Sequence, residues 1–336
     1  MKIDGAILAS SPGDAGPLAR ALEAAGYDGG FTFEGPHDPF LPLAVAAEHT
    51  DRLELATAVA VAFARNPMTL AHLAYDLQLH SRGRFILGLG SQIRSHIQKR
   101  FSSPWSQPAA RMRELVLAIR AIWETWHEGK TLDFRGEFYS HTLMTPIFNP
   151  GPNPYGLPRI FVAGVGPRMT EVAGEVGDGF FVHPFHTPEF LRDITLPALE
   201  RGLVRASRPR ERFEISCQVM IATGASDAEI EQARNTARAQ IAFYGSTPAY
   251  RPVLDRHELG ALHAELNAFS KRGAWLEMTG LIDDALLERI AVIGAPEEIA
   301  SRLRARCDGF ADRVSLVAPA TPDPARFSKI VQDLHS

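Results

Sequence analysis

Cysteine is scarce in this chain. Only Cys217 and Cys307 occur among 336 residues. Two distant cysteines supply neither a disulfide framework nor a zinc pattern. Basic runs are missing too, and the formal net charge is −4, so long-range attraction to nucleic acid or an anionic membrane is not suggested. No apolar run approaches the ~18 residues of a membrane span. The start, Met1-Lys2-Ile3-Asp4, enters an amphipathic strand without the charged and apolar regions of a signal peptide. The expectation is a reducing, cytoplasmic setting with a small-molecule substrate and neither nucleic acid nor membrane as partner. No G-x-S-x-G elbow or Walker loop is present. The cysteines lack a local histidine, so nucleophilic catalysis has no support.

What is present is an ordinary globular composition, 45% hydrophobic and 22% charged, carrying a regular cadence. Short apolar strands are predicted at Ile3–Ala9, Gly30–Glu34, Leu53–Val61, Arg84–Leu89, Arg159–Ala163, Asp178–Val182, Phe213–Ala222 and Arg313–Val317. Each is followed by helical spacing: Ala15–Gly26, Pro42–His49, Pro67–His80, Pro108–Glu128, Pro167–Val176, Pro188–Ala206 with Asp227–Phe243 and Pro296–Arg306 further on, and Pro324–Leu334 at the end. Two stretches break the rhythm, about 130–157 and 247–281, and read as excursions covering a pocket. Eight strands with little polar alternation, each trailed by a helix, argue for a parallel sheet covered on both faces and closed on itself. The expectation is one (β/α)8 TIM-barrel domain over 1–336, with insertions.

The run Arg84-Phe85-Ile86-Leu87-Gly88-Leu89-Gly90-Ser91-Gln92 ends a buried strand in glycines and small polar residues. Such an end suits main-chain binding of a phosphorylated or flat cofactor. It is not a dinucleotide fingerprint. Ile93 stands where the third glycine belongs, and the acid about 20 residues on, Glu114, falls inside a helix. In a barrel the active site lies at the C-terminal strand ends. That rule selects Glu34 and His37, then Ala58, Val59, Phe63 and Arg65, then Gly90, Ser91, Gln92 and Arg94, then Ala163, Gly164, Val165, Gly166 and Pro167, and finally His183. Glu34 and His37 have the chemistry for proton transfer at neutral pH. The same segment also reads as a turn opened by Asp38-Pro39, with Glu34 paired to an arginine. Gly164-Val165-Gly166-Pro167 is a strand-to-helix junction whose free N–H groups suit an anion. No metal site is assigned, because Pro184 keeps His183 and His186 off a shared helical face.

These residues, in the order Glu34…His37-Asp38-Pro39-Phe40, Ala58-Val59…Arg65-Asn66-Pro67, Ser81-Arg82-Gly83-Arg84-Phe85-Ile86-Leu87-Gly88-Leu89-Gly90, Ala163-Gly164-Val165-Gly166 and Gly177-Asp178-Gly179, resemble the bacterial luciferase-like flavin and deazaflavin oxidoreductases. The likeness runs through nearly the whole chain. Ala60-Val61-Ala62-Phe63-Ala64-Arg65 and Gly90-Ser91-Gln92-Ile93-Arg94 look like a coenzyme F420-dependent branch. The resemblance implies a flavin-type ring across the strand ends and a non-proline cis peptide at Ala58–Val59 behind it. It places the cofactor phosphate on Gly90–Gln92 and Gly164–Gly166. It further implies hydride transfer between F420 and a small organic substrate, a pocket including Phe63, Arg65, Arg94 and His183, and a homo-oligomer. An FMN-dependent monooxygenase is the alternative, and a non-catalytic flavin-binding relative a third. The acid and histidine after strand 2 are here separated, as Glu34-Gly35-Pro36-His37.

Overall fold

The computed structural model describes residues 1–318 and 327–336. Eight parallel strands close into a barrel: β1 Lys2–Ala6, β2 Gly29–Thr32, β3 Glu54–Thr57, β4 Phe85–Gly90, β5 Arg159–Gly164, β6 Gly179–Val182, β7 Glu214–Ala222 and β8 Arg313–Val317. Neighbours follow chain order from β1 to β7, and β8 closes the ring between β7 and β1. The expected TIM barrel is therefore the observed fold.

Most strands fall within a few residues of expectation, with one informative exception. The apolar run Leu53–Val61 is not continuous. It stops at Thr57, passes a cis peptide between Ala58 and Val59, and resumes as the two-residue strand Ala60–Val61 beside Leu89 and Gly90. Thr57 fills the gap in the ladder. Its hydroxyl donates to the Gly88 carbonyl at 2.8 Å and accepts from the Gly88 N–H at 2.9 Å.

The helices Pro67–His80, Pro108–Glu128 and Pro167–Val176 have the expected bounds. Each opens with proline where a missing N–H costs nothing. Asn66 also caps the first of them by accepting from Thr69 N at 2.9 Å. The helical run from Pro188 is less regular. It contains a π-helical stretch, Leu191–Thr195, before Leu196–Arg205. Pro197 lacks an N–H and its ring clashes with the carbonyl four residues back, which a widened turn relieves.

The excursion near 130–157 does not cover the pocket. It lies on the outer helices, where Glu114 accepts from Phe138 N at 2.7 Å and Tyr75 Oη donates to Gly151 O at 2.7 Å. The excursion at 247–281 forms the helices Arg251–Asp255, Gly260–Lys271 and Trp275–Thr279. Beyond it lie a helix and a strand not expected from sequence, Asp284–Ile290 and Ala291–Ile293. The last helix is Ser328–His335; its expected start, Pro324, lies outside the described residues.

Side chains fill the barrel in layers. At the bottom is an ionic layer. Arg313, 2% exposed, donates to both Asp4 oxygens (2.6 and 2.9 Å), to Glu54 (2.5 Å) and to Glu214 (3.2 Å). Arg159 bridges Glu54 at 2.5 Å and pairs with Glu214. Gly29 leaves room for this network, since a Cβ there would lie 2.2 Å from Asp4 Oδ1. Above it sits an apolar layer of Phe31, Ala56, Ile86, Phe161 and Phe181.

Burial alone would raise the Glu54 carboxyl, but Arg313 and Arg159 outweigh it and hold it at about 2. Its stabilisation is complete above its ordinary value and is lost as pH falls from there toward 2. Arg313→Met leaves three carboxylates without their main cation. It should destabilise the fold by about 3–5 kcal/mol in urea denaturation; a loss below ~1 kcal/mol would mean the layer is solvated.

Candidate functional site at the barrel mouth

Above the apolar layer, at the C-terminal strand ends, lies a cavity of about 880 Å³. Its floor includes Phe31, Phe181, Ala58, Val59 and Ala163. One side is formed by Ser91, Gln92, Ile93, Arg94 and Trp105, and the other by His183, Gln240, Tyr244 and Tyr250.

Val59 is pushed into the cavity where the third strand breaks. Gly90 on the neighbouring strand makes room for it: a Cβ there would lie 2.5 Å from Val59 Cγ2. The same break sets Glu34. Its backbone N–H donates to Val59 O at 3.1 Å, and its carboxylate Oε2 accepts from Val61 N at 2.7 Å and from Arg65 Nη1 at 2.5 Å. Arg65 is steadied in turn by Asp38 at 2.9 Å. Glu34 Oε1 accepts no hydrogen bond among the described residues, so a carboxylate of fixed orientation offers one oxygen at the cavity wall.

The strand ends of β4 and β5 lie side by side, with Gly90 opposite Ala163. Gln92 takes the left-handed conformation at φ 59°, which turns the chain away sharply. Among the described residues no acceptor is found for the backbone N–H groups of Ser91, Gln92, Val165 and Gly166. The start of helix Pro167–Val176 adds its own unpaired donors and the positive end of its dipole. Gly166 has open space where a side chain would stand, with nothing within 4 Å of a built Cβ. A cofactor phosphate fits this cradle, and a flat ring fits the apolar floor beside it.

His183 is the polar group of the opposite wall. Its Nδ1 accepts from Phe185 N at 3.1 Å, so the neutral ring carries its proton on Nε2 and presents a donor. The ring stacks on Tyr250 with centroids 4.4 Å apart. Burial pushes His183 down to about 3. The same cause, with the charge of Arg306, pushes His186 down to about 3.

The structure thus gathers Glu34, Ala58, Val59, Gly90, Ser91, Gln92, Arg94, Ala163, Gly164, Val165, Gly166 and His183 around one cavity. Four residues expected there lie elsewhere. His37 is exposed on the loop after β2. Arg65 holds Glu34 from behind. Phe63 packs on Trp105, with centroids 5.7 Å apart. Pro167 opens its helix behind the cradle. Sequence reasoning missed Phe31, Phe181, Gln218, Tyr244 and Tyr250. The first three alternate with outward residues along their strands, a period-two signal that short apolar strands obscure. The tyrosines come from sequence after β7 and carry no local sign of where they pack.

A family model described as luciferase-like monooxygenase matches residues 2–313. The chain belongs to the luciferase-like monooxygenase family. It is 57% identical over 314 residues to an uncharacterized protein of Mycobacterium tuberculosis (strain H37Rv), covering 94% of this chain and 92% of the relative. It is 27% identical over 323 residues to a 5,10-methylenetetrahydromethanopterin reductase of Archaeoglobus fulgidus, covering 93% and 91%. The solved coenzyme F420-dependent tetrahydromethanopterin reductase from Methanopyrus kandleri superposes with a TM-score of 0.80 at 17% identity, over 98% of this chain and 96% of that one. Luciferase-like proteins include F420-dependent and FMN-dependent enzymes. Among the described residues no helix is long and apolar enough to cross a membrane.

The two low histidine values set the response to acid. Unfolded, these groups titrate near 6.5. Their contribution to stability is complete above that pH and is lost as pH falls toward 3, at about 1.4 kcal/mol per pH unit for each. Denaturation from pH 7 to pH 5 should show this slope, and His186→Gln should remove about half of it. A slope unchanged by that substitution would mean His186 already charges in the folded protein.

Proposed function

We propose that this luciferase-like protein is an F420-dependent oxidoreductase acting on a small uncharged alcohol or carbonyl compound. The observation that carries the reading is the cradle of unpaired backbone N–H groups beside an apolar floor, in a chain that aligns along 93% of its length with a reductase. When bound, F420 supplies two-electron hydride chemistry. Ser91, Gln92, Val165 and Gly166 would hold its phosphate through backbone N–H groups, with Gly166 leaving the approach open. Ala58, Val59 and Ala163 would back its ring.

Glu34 and His183 then share the polar work. Glu34 Oε1 takes the hydroxyl proton of the substrate, and Arg65 keeps that carboxylate oriented. His183 Nε2–H donates to the substrate oxygen. The charge balance of the cavity supports an uncharged substrate. Its charged lining residues are Glu34 and Arg94. Glu34 is neutralised by Arg65, and Arg94 is exposed at the rim, donating to Gln98 at 3.0 Å. A phosphorylated or carboxylate substrate would be desolvated there without a counter-charge.

The test is F420 reduction by secondary alcohols and by phosphorylated counterparts of similar size. Turnover is expected with the uncharged set only. Glu34→Gln should lower kcat/KM about 10²-fold, with His37→Asn within about twofold of the parent. Preferred turnover of the phosphorylated set, or a larger loss in His37→Asn than in Glu34→Gln, would overturn the assignment.

A further inference from the structure

We propose that a second site lies outside the barrel, in a cleft between the helical run 188–205 and helix Pro296–Cys307, and that it binds a small phosphate- or diphosphate-type anion. The cleft measures about 770 Å³. Its charged lining is Arg192, Arg234, Arg302 and Arg306 against Glu288 and Asp308. Four guanidinium groups converge on this one cleft, so what matters is which of them lack a carboxylate.

Two of these arginines are already paired. Arg234 bridges Asp284 at 2.7 Å and Glu231 at 3.2 Å, and Arg302 bridges Glu298 at 3.1 Å while donating to Ile293 O at 2.6 Å. The other two are not. Arg192 has no hydrogen bond or ion pair among the described residues and stands on the π-helical stretch. Arg306 is half-buried, and its Nη2 donates to the carbonyls of His186, Arg289 and Ile290 at 3.2, 2.9 and 2.9 Å. Its Nε is buried without an acceptor. Its Nη1 makes no hydrogen bond, and no carboxylate pairs with it among the described residues. The acid that faces it, Glu189, pairs instead with Arg289 at 3.1 Å.

Arg111 also has a buried Nε without an acceptor and no carboxylate among the described residues, but its guanidinium lies over the Phe138 ring at 4.9 Å. The chain treats Arg313 and Arg84 differently again. Arg313 meets three carboxylates. Arg84 has no carboxylate, but its Nε, Nη1 and Nη2 all donate, to Ser81 O, Thr50 Oγ1, Leu53 O, Ala47 O and Thr50 O. A guanidinium drawn from water with donors left over is costly unless an anion completes it. Arg306 supplies the inner half of such a site and Arg192 the outer half. Two guanidinium groups at one cleft suit the several oxygens of a phosphate or diphosphate. Leu191 and Phe310 line an apolar flank for the group it is esterified to.

The probe is inorganic pyrophosphate, titrated calorimetrically at low ionic strength. The Gly166→Val chain is used, so that a side chain occupies the cradle at the barrel mouth. Saturable binding with a Kd near or below about 1 mM is expected. Adding Arg192→Ala should weaken it about tenfold without changing the circular dichroism, because Arg192 is exposed and unpaired. No saturation below about 10 mM, or affinity indifferent to Arg192→Ala, would overturn the proposal. Because the cleft and the mouth are altered separately, failure here leaves the cofactor reading untouched.

Discussion

Closure of the sheet by β8 is the constraint on which everything else in this barrel rests. β8 must meet β7 on one side and β1 on the other, and Arg313 makes that meeting specific. It joins the strand before closure to the strand after it, reaching Asp4 on β1 and Glu214 on β7, with Glu54 of β3 across the interior. Buried ion pairs are weak sources of net stability, but they are intolerant of the wrong partner. A register slip of one residue in β8 would turn Arg313 outward and leave three carboxylates facing an apolar layer. The ionic layer therefore specifies the register in which the strand ends deliver their residues to the mouth.

That order has a consequence for the upper end. The phenylalanine layer seals the ionic floor from the cavity, so the cavity can remain open and largely apolar without hydrating the network below. Its polar groups are few and individually held: Glu34 by Arg65 and Val61, His183 by Phe185 N, and the cradle by the ends of β4 and β5. A pocket with a small number of oriented polar groups on an apolar lining is the general form of a cofactor and small-substrate site.

Much of this was legible in the sequence, and what was not has physical reasons. Helices such as Pro67–His80 were readable because proline, an N-cap and an apolar stripe agree. The cradle was readable because a glycine-bearing strand-to-helix junction leaves backbone N–H groups free. The interruption of Leu53–Val61 was invisible in local periodicity and came only from family resemblance, since Thr57 and Val59 are good strand residues and Ala58 between them is no strand breaker. The ionic layer was hidden because its members are up to 309 positions apart and each looks like an isolated surface charge. Glu34 shows the limit most clearly. The residue type and strand position allowed either a proton carrier or an arginine partner. The fold makes it a partner through Oε2 while leaving Oε1 at the cavity wall.

The most direct measurement is equilibrium titration of the purified chain with F420 and, separately, with FMN. Saturable F420 binding in the micromolar range or tighter, weakened by Gly166→Val, with no comparable FMN binding, is the predicted result. Tight FMN binding with no affinity for F420 would contradict the deazaflavin assignment and make this barrel a flavin monooxygenase.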